Sequence, residues 1–427
     1  MKHPDLLQEL LAVQNDTDDT NLLKEALAIE SVTGNETPFA EFLGVQLRAL
    51  QLSVETGSFL KGRKNVWAAH QGVADQPRLM FVGHTDTVHV RGWAEHWKDD
   101  PRSDAFAGIE RDGHVWARGA SDLKGGICAA IAGLRLLQTA GYEPLGGITF
   151  AFIGDEESGE PGTGVSAGAK DLVKRVEAGQ IKKPDFAVYV EPTNLDVYTA
   201  QIGFFIADIT LTGKSAYFGT PELGIDAFKA THAVLSQIWE HESELSSGPA
   251  HDLVGTSSIL VTGMEGGGYI AVPGECKLSL IRKLRPGEDL DNAVSAFEAA
   301  LSKAELADGV TLTIDYPAGR DHKFGGSPVE ISTSDPGALL MQDCVKRALP
   351  DSGNIGGAPY WSESPFLINQ IGCPAIYCAP GDIAVAHTYE ERIEVAEYLA
   401  AIRANALFMA EFCGVRRKNQ QPTGEIS

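Results

Sequence analysis

Histidines and acidic residues follow directly on the ends of short apolar runs at five places in this chain. Phe81-Val82 leads into Gly83-His84-Thr85-Asp86, and Val115-Trp116-Ala117 into Arg118-Gly119-Ala120-Ser121-Asp122. Phe152-Ile153 leads into Gly154-Asp155-Glu156-Glu157, Tyr189-Val190 into Glu191-Pro192-Thr193, and Tyr377-Cys378 through Ala379-Pro380-Gly381 to His387. Ligands of a parallel α/β sheet gather at the carboxyl ends of its strands, so these segments are expected to bring two imidazoles and a set of carboxylates into one crevice. So much negative charge in one place requires cations. Two imidazoles with three carboxylates suit a pair of divalent ions with N/O ligation, zinc foremost. With one carboxylate bridging ions about 3.5–4 Å apart and two terminal ligands on each, a further carboxylate is left to act as a base. Taken singly, a histidine after a strand is usually a core or loop residue, an aspartate before glycine a turn residue, and adjacent glutamates a solvated face. Five such coincidences at equivalent positions are not explained that way.

The elements that must carry these residues read as an α/β domain. Leu79–Val82, Ile148–Ile153 and Phe186–Val190 are short, fully apolar runs, as expected of strands covered on both faces. Helical spacing is found in Leu22, Leu23, Ala26 and Leu27, again in Phe39, Phe42, Leu43, Leu47 and Leu50, and in the stretch that begins near Lys124-Gly125-Gly126. Strand and helix in alternation predict a mostly parallel sheet sandwiched by helices. From about Tyr198 the pattern changes to strand–helix–strand–strand–helix–strand, over 204–211, 225–240, 258–261, 276–281, 290–306 and 310–316. That order predicts a small antiparallel, ferredoxin-like α+β unit. Helices at 338–348 and 393–412 and a strand at 375–378 then resume the first rhythm. The expected division is a discontinuous domain of residues 1–197 and 317–427 with an insertion of 198–316. The tail from Arg416 lacks an apolar period and is expected to be disordered.

Composition narrows the class. Lys+Arg 35 against Asp+Glu 58 leaves a net charge of −23 over 427 residues, with 43% hydrophobic and 22% charged. A surface this negative repels nucleic acid and anionic membranes, and no apolar run is long enough to span a bilayer. The start, Met1-Lys2-His3-Pro4-Asp5, has no apolar core of a signal peptide, and the scattered cysteines form no C-x-x-C pair. A cytoplasmic protein with reduced thiols is expected.

Gly83-His84-Thr85-Asp86-Thr87-Val88, Arg118 to Gly126 and Asp155-Glu156-Glu157-Ser158-Gly159 together resemble the dinuclear zinc metallopeptidase superfamily of aminoacylase, acetylornithine deacetylase, succinyl-diaminopimelate desuccinylase and glutamate carboxypeptidase. Glu191-Pro192-Thr193 and Ala379-Pro380-Gly381…His387-Thr388…Glu391 continue the match over nearly the whole chain. The resemblance implies that His84 and Glu191 hold one ion, that Glu157 and His387 hold the other, and that Asp122 bridges them. It implies zinc, with cobalt or manganese as alternatives, and a cis peptide at Asp122–Leu123. Asp86 would accept the other N–H of His84 and fix its tautomer. Glu156 would be the general base, taking a proton from water and passing it to the leaving amine of a linear amide. Glu191 matches the deacylase members, several peptidase relatives having Asp there. The inserted unit would form a homodimer.

The insertion departs from the pattern. Relatives carry a histidine after Gly-x-x-Ala that reaches the partner's site, whereas Gly213-Lys214-Ser215-Ala216 is followed here by Tyr217. Gly267-Gly268 is followed by Tyr269-Ile270, where asparagine is common. A tyrosine O–H can donate a hydrogen bond, so Tyr217 is a candidate substitute. Arg282 matches the arginine that relatives use for a substrate carboxylate, and Glu363 falls where they carry an acidic residue near the crevice. The expected activity is metal-dependent hydrolysis of an N-acyl amino acid or related amide. The alternatives are a dipeptidase or carboxypeptidase on the same centre and a noncatalytic metal-binding dimer.

Overall fold

Along the apolar runs at Leu79–Val82 and Ile148–Phe152 almost every residue is buried. Successive strand side chains point to opposite faces, so unbroken burial means that the sheet is covered on both. The computed structural model describes residues 5–73, 75–157 and 162–418. Ser158 and Gly159 of the acidic motif and the last residues of the tail lie outside them.

The chain forms two units, Met1–Thr199 with Ile331–Gly356 and Phe366–Ser427, and Ala200–Glu330 with Gly357–Pro365. In chain order the first unit contributes helices α1 (Leu6–Val13), α2 (Asp16–Leu27) and α3 (Thr37–Ala49) and strands β1 (Ser53–Leu60), β2 (Arg63–His70) and β3 (Arg78–His84). Helix α4 (Gly125–Thr139), strand β4 (Gly147–Ile153), helix α5 (Ala167–Glu177) and strand β5 (Phe186–Tyr189) follow. The second unit holds β6 (Gly203–Thr212), α6 (Ala227–Ser246), β7 (Ser258–Gly266), β8 (Glu275–Leu284), α7 (Leu290–Leu301) and β9 (Thr311–Asp315). The first unit resumes with α8 (Pro336–Ala348), β10 (Ala375–Tyr377) and α9 (Val395–Cys413).

In the first unit the strands lie in the order β1-β2-β4-β3-β5-β10, and the strand Val197–Gln201 continues the sheet beside β10, Tyr198 pairing with Tyr377 in antiparallel sense. The inner four, β4, β3, β5 and β10, are parallel. The β1–β2 hairpin, which the sequence pattern did not predict, adds antiparallel strands at one side. Helix α9 packs on α4 and α8, and α3 packs on β2. Two expectations are corrected. Val115 and Trp116 belong to a separate three-stranded sheet, not to the main one. Val415–Arg417, at the start of the expected disordered tail, form a strand paired with Tyr142–Pro144.

The second unit is an antiparallel sheet in the order β7-β8-β6-β9, with Leu278, Leu280, Phe205, Ile209, Val234 and Phe297 in its core. Its helices begin at aspartates that accept backbone N–H bonds, Asp226 from Phe228 at 2.9 Å and Asp289 from Asn292 at 2.9 Å. The unit extends past the expected boundary at 316 because Gly325 and Gly326 pair with Phe205 and Phe204. It recruits 357–365 because Trp361 packs edge-on against Phe204, 5.6 Å between ring centres, and donates to the Ser327 carbonyl at 3.2 Å.

Glu397, near the start of α9, is buried, and its carboxylate accepts the Gly381 N–H at 3.3 Å. Burial pushes its pKa up to about 7, with repulsion from Glu394, Asp382 and Asp196 adding to the effect. The folded state therefore holds this proton more tightly than the unfolded chain, so its contribution to stability is full below the unfolded carboxyl pKa and is lost as pH rises through about 7. Glu397→Gln is expected to flatten the decline of Tm between about pH 5 and pH 8; an unaltered slope would assign the decline to other groups.

Candidate metal centre

The four parallel strands end side by side, and each delivers part of one cluster. His84 closes β3, Glu156 and Glu157 follow β4, Glu191 follows β5, and His387 is reached from β10. Asp122 comes from the tight turn before α4, where the Asp122–Leu123 peptide is cis. Glycine permits this approach, because a Cβ on Gly126 would lie 2.3 Å from the Val190 carbonyl oxygen, beside Glu191.

Three groups of donors converge: His84–Asp122–Glu191, Asp122–Glu157–His387 and His84–Glu156–Glu157. In each, one donor atom from every residue lies within 4.8 Å of the others. Asp122 sits between the imidazoles, Oδ1 at 3.0 Å from His84 Nε2 and Oδ2 at 3.1 Å from His387 Nε2. Glu191 lies 3.7 Å from the same nitrogen of His84, and Glu157 2.9 Å from that of His387. His84, Asp122, Glu157 and Glu191 are buried, Glu156 is half-buried, and the His387 side chain is 53% exposed.

The electrostatics follow from this crowding. Burial disfavours charge on Asp122, yet hydrogen bonds from His387 and His84 hold its carboxyl well below the usual range. Burial and the neighbouring Asp122 charge push Glu157 the other way. Burial also opposes protonation of His387, but Asp122 and Glu157 raise its pKa to about 11. Carboxylates outnumber imidazoles, all offer N or O atoms, and several are sealed from water. This donor set fits divalent cations such as zinc.

The structure places Asp86 differently from the expectation. Its backbone carbonyl, not its carboxylate, faces His84 Nδ1 at 2.9 Å, while carboxylate Oδ1 is 3.9 Å away. The tautomer of His84 is thus set by main chain, leaving Nε2 for the cluster. The carboxylate is taken by other donors: the N–H groups of Glu157 at 2.9 Å and Glu156 at 3.3 Å, and the Thr33 hydroxyl at 3.0 Å. Asp86 therefore shapes the turn that presents the glutamate pair. Lys124, within the aspartate motif, points away from the centre, its Nζ donating to the carbonyls of Ala26 at 3.1 Å and Ile29 and closing the end of α2.

Neither Arg282 nor Tyr217 belongs to the cluster; both lie in the second unit. Arg282 shares the pleat side of Cys276, Leu278, Leu280 and Leu284 on β8, so its side chain enters the core, and its fork pairs with Glu288 at 2.6 Å. It is 2% exposed and is not presented to a substrate carboxylate. The signal for this lies outside the arginine motif, in the parity that Arg282 shares with Cys276, Leu278, Leu280 and Leu284. Tyr217 is 58% exposed and packs on Phe218. Glu363 is buried.

Asp155, an unassigned member of the acidic motif, proves central to the loop. It is fully buried with φ of +75°, accepts from the N–H groups of Gly164, Val165 and Ala167, each at 3.2 Å, and pairs with Arg63 at 2.7 Å. Arg63 is shared with the buried Glu36.

Convergence of such donors at the strand ends of an α/β sheet is what a metal-dependent amidohydrolase requires. The chain belongs to peptidase family M20/M25/M40, whose profile matches residues 80–411, and metal-dependent amide hydrolysis is its chemistry. It is 28% identical over 415 residues to acetylornithine deacetylase of Myxococcus xanthus, covering 92% of this chain and 97% of that one. It is 24% identical over 401 residues to N-formyl-4-amino-5-aminomethyl-2-methylpyrimidine deformylase of Bacillus subtilis (strain 168), covering 88% of each. The fold is similar to that of the di-peptidase Dug1p from Saccharomyces cerevisiae, with a TM-score of 0.74 at 13% identity over 97% of this chain and 99% of that one.

Asp155→Ala leaves Arg63 paired with Glu36, but it breaks a buried carboxylate–guanidinium–carboxylate triad and strands three loop N–H groups. Asp155→Ala is expected to destabilise the protein by about 3–5 kcal/mol in urea unfolding; a loss below about 1 kcal/mol, the level of a surface pair, would show that the loop does not hang on this carboxylate.

Proposed function

We propose that this chain is a deacylase that hydrolyses the amide bond of an N-acyl amino acid or a related amide, using two divalent ions, zinc foremost. The observation that carries the reading is Asp122, whose two oxygens face His84 and His387 at 3.0 and 3.1 Å, with Glu156 in the same cluster. In this reading His84 and Glu191 would hold one ion and Glu157 and His387 the other, with the Asp122 carboxylate shared between them. Bound there, two divalent ions would supply a water of lowered pKa and polarise the amide carbonyl. Glu156 takes the water's proton and returns it to the leaving amine. Asp86 keeps the Glu156–Glu157 turn in place, and the exposed Tyr217 would offer its O–H to substrate in the site of the partner subunit.

The deacylase assignment is supported by the deacetylase and deformylase among the full-length relatives and by Glu191 in place of aspartate. We place the protein in the cytoplasm, supported by six unpaired, buried cysteines, and as a homodimer through the second unit. There β7 is an edge strand with Leu260 63% and Met264 67% exposed; a single-chain mass by light scattering retires the dimer.

Glu156→Ala is expected to retain both metals by elemental analysis while losing turnover by about 100–10,000-fold, and Asp122→Ala to lose both metals. Near-native turnover in Glu156→Ala removes the base assignment. A panel of N-acetyl, N-succinyl, N-aroyl and dipeptide substrates, run with zinc, cobalt and manganese separately, decides the substrate class. Cleavage of acylated amino acids is expected, with turnover reduced in Tyr217→Phe; cleavage of dipeptides with a free amine alone would replace the deacylase by a dipeptidase.

A further inference from the structure

Glu391 is fully buried close behind the cluster and is not one of its converging donors. Its Oε1 accepts two consecutive backbone N–H groups, from Ser121 at 3.2 Å and from Asp122 itself at 3.1 Å. Its Oε2 takes the Nη1 of Arg118, which is 2% exposed. The other end of that guanidinium, Nη2, donates to the Thr388 carbonyl at 3.2 Å, one residue beyond His387. Between the same two segments the Ser121 hydroxyl donates to the Arg392 carbonyl at 2.8 Å and accepts from the Asp382 N–H at 3.3 Å. One carboxylate and one guanidinium thus stitch the turn that carries Asp122 to the loop that carries His387.

We propose that Glu391, with Arg118, is a positioning pair for the metal centre, holding the Asp122 peptide and the His387 loop in the register that the ion at Asp122–Glu157–His387 requires. The proposal rests on the two-metal reading above. A buried ion pair kept for stability alone gains little over well-packed apolar side chains, whereas this carboxylate is spent on the main chain of a ligand. Asp122 must face two imidazoles at once, and ligand sets tolerate only about 0.5 Å of displacement. The pair also acts unequally. The Asp122–Glu157–His387 group takes two of its three donors from the stitched segments, and the His84–Asp122–Glu191 group takes one. Loosening the stitch should therefore weaken one ion much more than the other.

The test is titration of the metal-stripped, full-length protein with Co²⁺, followed by visible absorption and calorimetry, for wild type, Glu391→Gln and Arg118→Lys. Wild type is expected to take up two ions. Glu391→Gln keeps the shape but turns a donor toward Arg118, and its second uptake step is expected to weaken by about 10–100-fold, as for other residues that orient ligands, with the first step little changed. A merely structural role would lower the apo-protein Tm and leave both steps where they were. A folded Glu391→Gln whose two steps match wild type, or weaken equally, overturns the proposal. Should that variant fail to fold, Arg118→Lys, which keeps the charge but loses the fork to Thr388, is held to the same second-step criterion. Uptake of fewer than two ions by wild type removes the metal reading itself, a result that does not depend on either variant.

Discussion

Everything at the strand ends turns on one carboxylate that answers to two imidazoles. Asp122 is buried among Glu157, Glu191 and Glu156, where like charges repel, and it stays ionised because a histidine stands against each oxygen. Aiming one short side chain in two directions demands a backbone that does not drift. The surroundings supply it through the tight turn before α4, glycines that let the helix start touch the end of β5, and a fully packed sheet beneath.

Most of this arrangement was legible in the sequence, because apolar runs that end in acidic residues or histidine report both a buried strand and what it carries. His84, Glu157, Glu191 and His387 converge from the ends of the four strands that are parallel and adjacent. Asp122 reached the same place by another route. Its preceding apolar run forms a small separate sheet, and the turn, not a strand end, delivers the carboxylate. Legibility fails where a partner is distant in sequence and chemically ordinary. Thr33 bonding Asp86, or Glu36 sharing Arg63 with Asp155, leaves no periodic or motif signal, since each depends on which loops become neighbours only after folding. Asp86 shows a subtler failure: its type was informative, but whether its carboxylate or its carbonyl meets His84 is a matter of turn geometry.

Buried charge is handled in two ways in the molecule. Around the centre, Glu36, Arg63 and Asp155 form a chain of opposite charges that supports a loop. In the second unit, Arg282 and Glu288 neutralise one another beneath a sheet otherwise lined with leucine, and Ser257 also bonds Glu288. The pleat of β8 decides this outcome, since a residue two positions from Leu280 and two from Leu284 must share their side. An arginine motif read without its register says what the group can bind, but not which way it points.

The two ends of the second unit are zipped together, Gln201 pairing with Val329 and Ala200 with Glu330. The long excursion from Ala200 to Glu330 thereby fills the slot of an ordinary connection between neighbouring strands. A different module grafted into that slot would have to replace the partners that Phe204 and Ser327 give Trp361, while the strand ends that carry the metal-binding cluster lie outside it. Variety in what is recognised can accordingly evolve by exchange of a cassette, while the chemistry of bond cleavage is inherited unchanged.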